Sequence, residues 1–383
     1  MIRIEDRTEC SGCSACYSVC PHGAITMKPD KLGFRYPEVD REKCTGCGLC
    51  DNVCAFRKQE SLSMPVKCLA VRNRDLESLM ESRSGGVFPV LADHVFSKGG
   101  TVYGAAFDDG FLVAHKRAGT AQEADSFRGS KYVQSDMGDV FELVRNDLDS
   151  GLHVLFSGTP CQVDGLRNFI PERLRERLIL ADIVCHGVPS PYVWRDYLEY
   201  QEKIHGGRIQ EVSFRDKKTF GWAAHKETFL IDGVMYPETS FTHLFYRHIM
   251  LRPSCGSCPY ADVRRSSDIT LADFWGWQKT VPDFNADDRG VSLVLVNTER
   301  GAEMLEACSA FLDMREVVLE DCMQPNLRQP SVLDKQSERF ADDFAGKGIE
   351  YVLKRYGDKG WRYTVYTLYM DTKRRLKKWL RRK

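Results

Sequence analysis

Several features are missing from the sequence, and each absence narrows what the protein does. No stretch approaches the roughly 20 consecutive apolar residues that span a bilayer. The start, MIRIEDRTEC, lacks the basic and apolar regions of a secretory signal. The formal net charge is zero, because 54 Lys and Arg residues balance 54 Asp and Glu residues. The overall charge therefore predicts no nucleic-acid partner. These absences predict a cytoplasmic protein of ordinary globular composition.

Cysteine, in contrast, is abundant. The chain has 383 residues, a length typical of about two to three domains, and 15 of them are cysteines. A reducing compartment disfavours structural disulfides, and clustered cysteines there more often bind metal or perform redox chemistry. Nine cysteines precede residue 70 and the other six are scattered. This uneven distribution predicts an N-terminal metal-binding module followed by a larger body.

Two runs of four cysteines occupy the N-terminal module. The first has the spacing C-x2-C-x2-C-x3-C followed by proline, and the second repeats it with alanine in place of proline. This is the bacterial ferredoxin pattern, in which the fourth cysteine of each run ligates the other cluster; zinc ribbons use two CxxC pairs instead. We therefore predict two 4Fe–4S clusters, one held by Cys10, Cys13, Cys16 and Cys54 and the other by Cys44, Cys47, Cys50 and Cys20.

Beyond about residue 66 the pattern changes to alternating strands and helices. Strands are predicted at 66–72, 101–107, 111–118, 153–158, 178–185, 208–216, 226–233, 267–274 and 291–297, and helices at 85–100, 121–129, 137–149 and 192–203. Helical stretches within 166–178 are interrupted by Pro171. The fold class is therefore α+β or α/β, with a ferredoxin module over 1–62, a mixed α/β domain over 63–345 and a helical, basic C-terminal tail over 346–383.

Four cysteines of the body form a second group of candidate ligands. Cys161 and Cys185 each follow a predicted strand, where loops commonly build sites in α/β folds. The segment PSCGSCPY adds Cys255 and Cys258, which makes enough thiolates for another cubane. A redox pair, half of a zinc site, or simple buried hydrophobic residues remain open alternatives. We interpret Cys68, Cys308 and Cys322 as core or surface residues, His186 as an orienting residue or a strand end, and DFWGW, with Trp275 and Trp277, as a packing corner.

Two polar segments could contact a cofactor. In SRSGGVF, residues 82–88, Gly85 and Gly86 stand at a predicted helix start, where exposed N–H groups suit a phosphate; an ordinary turn is the alternative. In RGSKYVQSD, residues 128–136, Lys131 and Tyr132 could bind a phosphate or a ring, or simply face solvent.

The motifs SRSGGVF, RGSKYVQSD, FSGTPCQVDGL, DIVCHGVPSP and CGSCPYADVRRSSDITLADFWG follow one another in that order. Over roughly residues 65–300 the chain resembles the coenzyme F420 hydrogenase/dehydrogenase beta-subunit family, including members that carry a double ferredoxin module. The resemblance implies a flavin, FAD or FMN, and a 4Fe–4S cluster in the body. It assigns that cluster to Cys161, Cys185, Cys255 and Cys258, and flavin contacts to Gly85, Gly86, Ser130, Lys131 and Tyr132.

The cysteine runs and the resemblance together predict a flavin-dependent iron–sulfur oxidoreductase. It would relay electrons between a two-electron donor or acceptor at the flavin and the one-electron clusters. A deazaflavin coenzyme, a ferredoxin, and an organic ring or double bond are all candidate substrates. The alternative is an electron-transfer subunit without its own substrate site that docks on a separate catalytic protein. Either function requires a redox partner protein or a small-molecule electron donor.

The C-terminal tail is strongly basic. Residues 373–383, KRRLKKWLRRK, hold eight basic side chains and no acidic one. Apolar residues repeat at helical spacing, at Val365, Leu368, Tyr369, Leu376, Trp379 and Leu380. An amphipathic helix of this kind could lie on an anionic membrane surface, dock an acidic partner, or pack its apolar stripe on the body.

Overall fold

The computed structural model describes residues 1–57, 62–360 and 363. The predicted amphipathic stripe and the basic segment 373–383 lie outside the described residues. Within the described ranges, no helix combines the length and the apolar character needed to cross a membrane.

The N-terminal module consists of short elements around the two cysteine runs. In order they are a 3-10 helix Arg7–Glu9, α1 Ala15–Ser18, β1 Ile25–Pro29, β2 Arg35–Val39 and α2 Leu49–Asn52. The strands β1 and β2 form an antiparallel hairpin. The two runs share one backbone pattern, because φ is positive at Gly12 and Ser14 in the first and at Gly46 and Gly48 in the second. Left-handed backbone at these positions lets each short loop turn sharply between cysteines.

The first half of the body alternates strands and helices, as the sequence predicts. Its elements are β3 Lys67–Asn73, α3 Leu76–Glu81, α4 Val87–Ser97, β4 Thr101–Phe107, β5 Val113–Ala118, α5 Ala121–Ala124, a 3-10 helix Asp125–Phe127, α6 Val140–Asp149, β6 Val154–Gly158, α7 Pro160–Phe169, a 3-10 helix Glu172–Arg177 and β7 Leu178–Ile183. Helix α7 ends just before Pro171, because proline at that position would remove a helical N–H bond.

The second half adds a small sheet and a longer helical region. Its elements are α8 Pro191–His205, β8 Ile209–Ser213, α9 Lys217–Phe220, β9 Glu227–Ile231, β10 Val234–Glu238, α10 Ser240–Tyr246, a 3-10 helix Pro253–Ser257, β11 Ile269–Asp273, a 3-10 helix Trp277–Lys279, β12 Ser292–Val296, α11 Glu299–Ala307, a 3-10 helix Ser309–Phe311, β13 Leu312–Glu316, α12 Leu319–Cys322, a 3-10 helix Pro325–Leu327 and α13 Ser337–Arg355. Gly348, with a φ of 75°, interrupts the helical backbone of α13. The domain boundary predicted between residues 345 and 346 falls inside this helix.

The main sheet has eight strands in the order β13-β3-β12-β11-β7-β6-β4-β5. The inner strands β4, β6, β7 and β11 are parallel, and the remaining pairs are antiparallel. A second, antiparallel sheet has the order β10-β9-β8. The predicted mixed α/β architecture with a small ferredoxin-like module and a helical C-terminal region is therefore confirmed.

Helices cover both faces of the main sheet. Helix α4 buries Val87, Leu91 and Val95 on one face, where they pack with residues of β4, β6 and β12. Helices α6 and α7 cover the other face with an apolar cluster that also contains Ala15 and Val53 of the N-terminal module. The module therefore packs directly on the α7 side of the body rather than being connected to it by a linker alone.

Candidate metal centres and cofactor cleft

The first three cysteines of the first run lie together with the last cysteine of the second run; we call Cys10, Cys13, Cys16 and Cys54 the proximal set. Cys10 precedes α1, Cys16 lies within it, and Cys54 follows α2. Burial raises the pKa of the Cys13 thiol to about 12, and the neighbouring thiolates of Cys54, Cys161 and Cys10 add to the rise. Such buried thiols ionise only when a cation compensates them, so this donor set fits a metal cluster.

The first three cysteines of the second run lie together with the last cysteine of the first run; we call Cys20, Cys44, Cys47 and Cys50 the distal set. All four line one small cavity beside β1 and β2. The backbone N–H of Ala24 donates to Cys20 Sγ at 3.4 Å, and that of Ile2 donates to Cys50 Sγ at 3.1 Å. Each fourth cysteine thus stands with the other run, the arrangement that the sequence predicts, although the ligand assignments themselves remain predictions.

The four body cysteines also converge on one cavity; we call Cys161, Cys185, Cys255 and Cys258 the body set. Cys161 lies in the first turn of α7 and Cys185 follows β7, and the carboxyl ends of the adjacent parallel strands β6 and β7 meet at one edge of the sheet. Cys255 lies in the 3-10 helix Pro253–Ser257 and Cys258 directly after it. A bridge between Pro189 and Leu251 brings this segment beside the chain that follows Cys185.

The body set is as deeply enclosed as the proximal set. Burial raises the pKa of Cys255 to about 12 and that of Cys258 to about 11. Backbone N–H groups of Gly187 and Val188 donate to the sulfur atoms of Cys185 and Cys255 at 3.4 Å and 3.5 Å. Within the ranges that the structure describes, no three or more His, Cys, Asp or Glu side chains are grouped closely enough for a single metal ion.

Helix α7 joins the proximal set to the body set. It carries Cys161 in its first turn and packs one turn later, at Gly165, against the sulfur of Cys13. Ser11, next to Cys10, lines the body cavity. Both sets are therefore in contact with the first turns of α7.

A cleft of about 700 Å³ opens elsewhere on the body, within the size range of cofactor sites, roughly 300–1,000 Å³. Its walls are the 75–83 segment around α3, the loop 128–131, and the strands and helix from β8 to β10. Paired charges occupy its edge, where Glu81 pairs with Lys218 and Asp125 with Arg128. Two aspartates cap α3 and α9 through backbone N–H groups, and two exposed glutamates stand on the rim.

The inner wall of the cleft is more cationic. The Arg83 side chain is 9% exposed, and its Nε and Nη1 have no hydrogen-bond partner among the described residues. Arg215 pairs with Asp273 at 2.5 Å. Burial lowers the pKa of Lys131 to about 7 and that of Lys217 to about 8. The two unpartnered N–H groups of Arg83, beside buried Lys131 and Lys217, fit a phosphate-bearing ligand.

The residues that the resemblance assigns to a flavin are divided between the cleft and its surroundings. Ser130 and Lys131 line the cleft, whereas Tyr132 stands behind them. Gly85 and Gly86 are not among the lining residues. A Cβ at Gly85 would lie 2.1 Å from the Val71 carbonyl oxygen, so close packing on β3 already explains that glycine.

Aromatic side chains connect the cleft with the body cavity. Arg215 in the cleft donates to the Tyr132 hydroxyl at 3.4 Å, and Tyr132 stacks on Phe245 with ring centroids 4.9 Å apart. Phe245 contacts His186 edge-on at 5.3 Å, and His186 lines the cavity of the body set. Trp275, predicted as part of a packing corner, stacks on Trp222 at 4.5 Å.

Apart from Lys131, sequence reasoning missed the basic residues of the inner wall. Arg83 lies within the motif SRSGGVF, but the prediction from that motif named only its two glycines as cofactor contacts. Arg215 and Lys217 follow β8 and show no local pattern. Of the cysteines without a predicted site, Cys68, Cys308 and Cys322 are all buried in the apolar core.

Comparison with known proteins gives two family matches. Residues 152–318 match the C terminus of the coenzyme F420 hydrogenase/dehydrogenase beta subunit, and residues 9–57 match the 4Fe-4S dicluster domain. Among solved structures, the chain is similar to one from a xenon-derivatised F420-reducing NiFe hydrogenase complex of Methanosarcina barkeri, with 19% identity and a TM-score of 0.47. That similarity covers 78% of this chain and 96% of the other. No curated protein matches the sequence.

Proposed function

We propose that the chain is a flavin-dependent iron–sulfur oxidoreductase of the coenzyme F420 hydrogenase/dehydrogenase beta-subunit family, with an N-terminal 4Fe–4S dicluster domain. The observation that carries the proposal is the position of the body set. Its cavity shares α7 with the proximal set on one side and is joined to the cleft by the contacting rings of Tyr132, Phe245 and His186 on the other. This is the order that an electron relay requires.

The N-terminal module supplies two 4Fe–4S clusters, as its dicluster match indicates. We assign the proximal set to one cluster and the distal set to the other. The proximal set lies in the part of the module that packs on α7. In contrast, Cys47 of the distal set is exposed. Electrons would therefore enter or leave the protein at the distal set, where a redox partner can approach.

We assign a third 4Fe–4S cluster to the body set. Its four cysteines are partly buried, and this burial raises the pKa of each thiol, so the thiolate form needs a nearby cation. Backbone N–H groups directed at two of the sulfur atoms resemble the hydrogen bonds that tune cluster potentials. A structural zinc ion is the alternative occupant, although among the described residues no three ligating side chains are grouped closely enough for a single ion.

We assign the cleft to a flavin, FAD or FMN, with its phosphates toward the inner wall. Arg83 offers two unpartnered N–H groups there, and Ser130, Lys131 and Lys217 line the same wall. A bound flavin would supply the exchange between two-electron and one-electron chemistry that the clusters alone lack. Phe107 and Phe214 add apolar surface to the cleft that suits a ring system.

An electron-transfer subunit without its own substrate site is the second candidate. The exposure of Cys47 and of the neighbouring Leu49 favours it, since both suit a protein partner at the distal set. Turnover of a small-molecule donor by the isolated, flavin-loaded chain would exclude this candidate. Reduction only in the presence of a partner protein would support it.

Quantifying iron, sulfide and flavin per chain after anaerobic purification tests the proposal. We expect about twelve irons, four for each of three clusters, and one flavin per chain. Cys258→Ser should lose about four irons, whereas the matched control Cys308→Ser, a buried cysteine outside the three sets, should lose none. Eight irons in the wild-type chain, or zinc retained by the body set, would contradict the third cluster.

The flavin site is tested by a second pair of variants. Arg83→Met should lower flavin occupancy and leave the iron content unchanged, because Arg83 lines the cleft but not the cysteine cavities. Arg74→Met is the matched control, since Arg74 pairs with Asp313 at another surface. Equal flavin occupancy in the two variants would contradict the assignment of the flavin to this cleft.

A further inference from the structure

Arg252 is a buried cation that contacts the proximal set. Its side chain is fully buried, and its Nε donates to the Cys10 carbonyl oxygen at 2.7 Å. One Nη group donates to Cys10 Sγ at 3.6 Å and to the Arg35 carbonyl oxygen at 2.9 Å. The other Nη group donates to Gln134 Oε1 at 3.0 Å. The guanidinium is thus fixed at the sulfur of a cysteine that we assign to a cluster.

The same side chain also faces the body set. Arg252 lines the cavity that contains its four cysteines, and its carbonyl accepts the N–H of Cys255 at 2.9 Å. Burial raises the pKa of the Cys161 and Cys255 thiols, and the charge of Arg252 is among the effects that oppose this rise. One guanidinium therefore lies within electrostatic reach of both sets.

No carboxylate neutralises Arg252 among the residues that the structure describes. Its partners are carbonyl and amide oxygens, the Cys10 sulfur, and the rings of Tyr36 and Phe34 at 4.3 Å and 5.5 Å. Burying an unpaired charge is costly unless an opposite charge lies nearby. Cubanes ligated by four thiolates carry negative charge, and they are the nearest candidates to balance this guanidinium.

We propose that Arg252 raises the reduction potentials of the proximal and body clusters together, as one cation shared between them. Adding an electron makes each cluster more negative, and a nearby positive charge stabilises the reduced form. The proposal rests on the proposed function, because it requires clusters at both sets. The distal set is a built-in reference, since Arg252 does not line its cavity.

The shared cation gives the relay a specific asymmetry. Because Arg252 favours the reduced form of the two enclosed clusters and not of the distal one, electrons are held in the interior until a partner draws them from the distal set. Gly12 shows how closely this arrangement is packed, because a Cβ there would lie 2.7 Å from an Arg252 Nη atom.

Redox titration of the full anaerobic chain, monitored by electron paramagnetic resonance, tests the proposal. In Arg252→Met, the one-electron equilibria of the proximal and body clusters should shift at least tenfold toward the oxidised form, about 59 mV. The distal cluster should not shift. Arg252→Lys keeps the positive charge, so the reduction potentials of these two clusters should stay close to their wild-type values. A purely structural role of the guanidinium would not predict that result.

Gln134→Glu keeps the test decisive if Arg252→Met folds poorly. The substitution keeps the side-chain shape and the acceptor for Arg252, places a carboxylate there, and gives up the amide donor to the Ser11 carbonyl oxygen. We expect the same two clusters to shift in the same direction. Unchanged potentials in both variants, at wild-type iron content, would overturn the role of Arg252. Fewer than twelve irons in the wild-type chain would instead count against the third cluster of the proposed function.

Discussion

Gly165 is the position at which the packing of the N-terminal module on the body can be tested most directly. An alanine there would place its Cβ 2.8 Å from Cys13 Sγ and 3.2 Å from Cys13 Cβ. Helix α7 cannot retreat from this contact, because Val163 and Leu166 in the same helix are fully buried against the sheet. The Cys13 side chain must therefore move, and with it one of the sulfur atoms of the proximal set.

The expected change in stability is the difference between two effects. In a helix interior, replacing glycine by alanine ordinarily stabilises by about 1 kcal/mol. Forcing an extra methyl group into a packed core costs about 1–3 kcal/mol. We therefore expect Gly165→Ala to lower the free energy of unfolding by about 0–2 kcal/mol. We also expect it to lower the iron content by about four per chain, the content of one cubane.

Gly346→Ala is the matched control. Gly346 lies in α13, and a Cβ there would meet no atom of the described residues within 4 Å. This variant should gain about 1 kcal/mol and keep all its iron. Iron quantification and chemical denaturation of both variants measure the two effects. If Gly165→Ala is as stable as Gly346→Ala and retains its full iron, the proximal set is not held against α7 in the way we describe.

Three further predictions address the ligands, the pH dependence and the tail. Cys20→Ser should remove the spectroscopic signal of the distal cluster, and loss of the proximal signal alone would contradict crossed ligation. Burial lowers the pKa of His115 to about 4, so an unfolded chain takes up a proton there first as the pH falls below about 6.5. The contribution of His115 to stability should therefore fall by about 2 kcal/mol between pH 7 and pH 5, and His115→Gln should lose about 2 kcal/mol less stability than the wild-type chain over this range when both are denatured alongside. Because residues 373–383 are strongly basic, we expect the full chain to sediment with anionic vesicles in a salt-sensitive way, and a chain of residues 1–372 to lose this binding. If the full chain does not sediment with the vesicles at low salt, membrane binding is excluded.

Local patterns in the sequence predicted most elements of the body but few of the short ones. The apolar runs at β3, β6 and β12 and the helical face of α4 appear where they were expected, because each is long enough to show a clear period. The hairpin β1–β2 and the edge strands β10 and β13 were missed. Their burial patterns are irregular, so neither apolar alternation nor a continuous apolar run marks them.

The sequence by itself determined the chemistry of the N-terminal module, because its ligand spacing is local. Two or three residues between cysteines leave the backbone few ways to turn, and the left-handed positions in both runs follow from that constraint. Only the tertiary structure decided which of the scattered groups meet. Cys161 and Cys185 reach Cys255 through the pairing of β6 with β7 and the bridge at Pro189, and Arg252 reaches Cys10 through the packing of the module on the body. Contacts between residues so distant in the chain depend on strand pairing and on the burial of apolar faces, and no short sequence pattern records them.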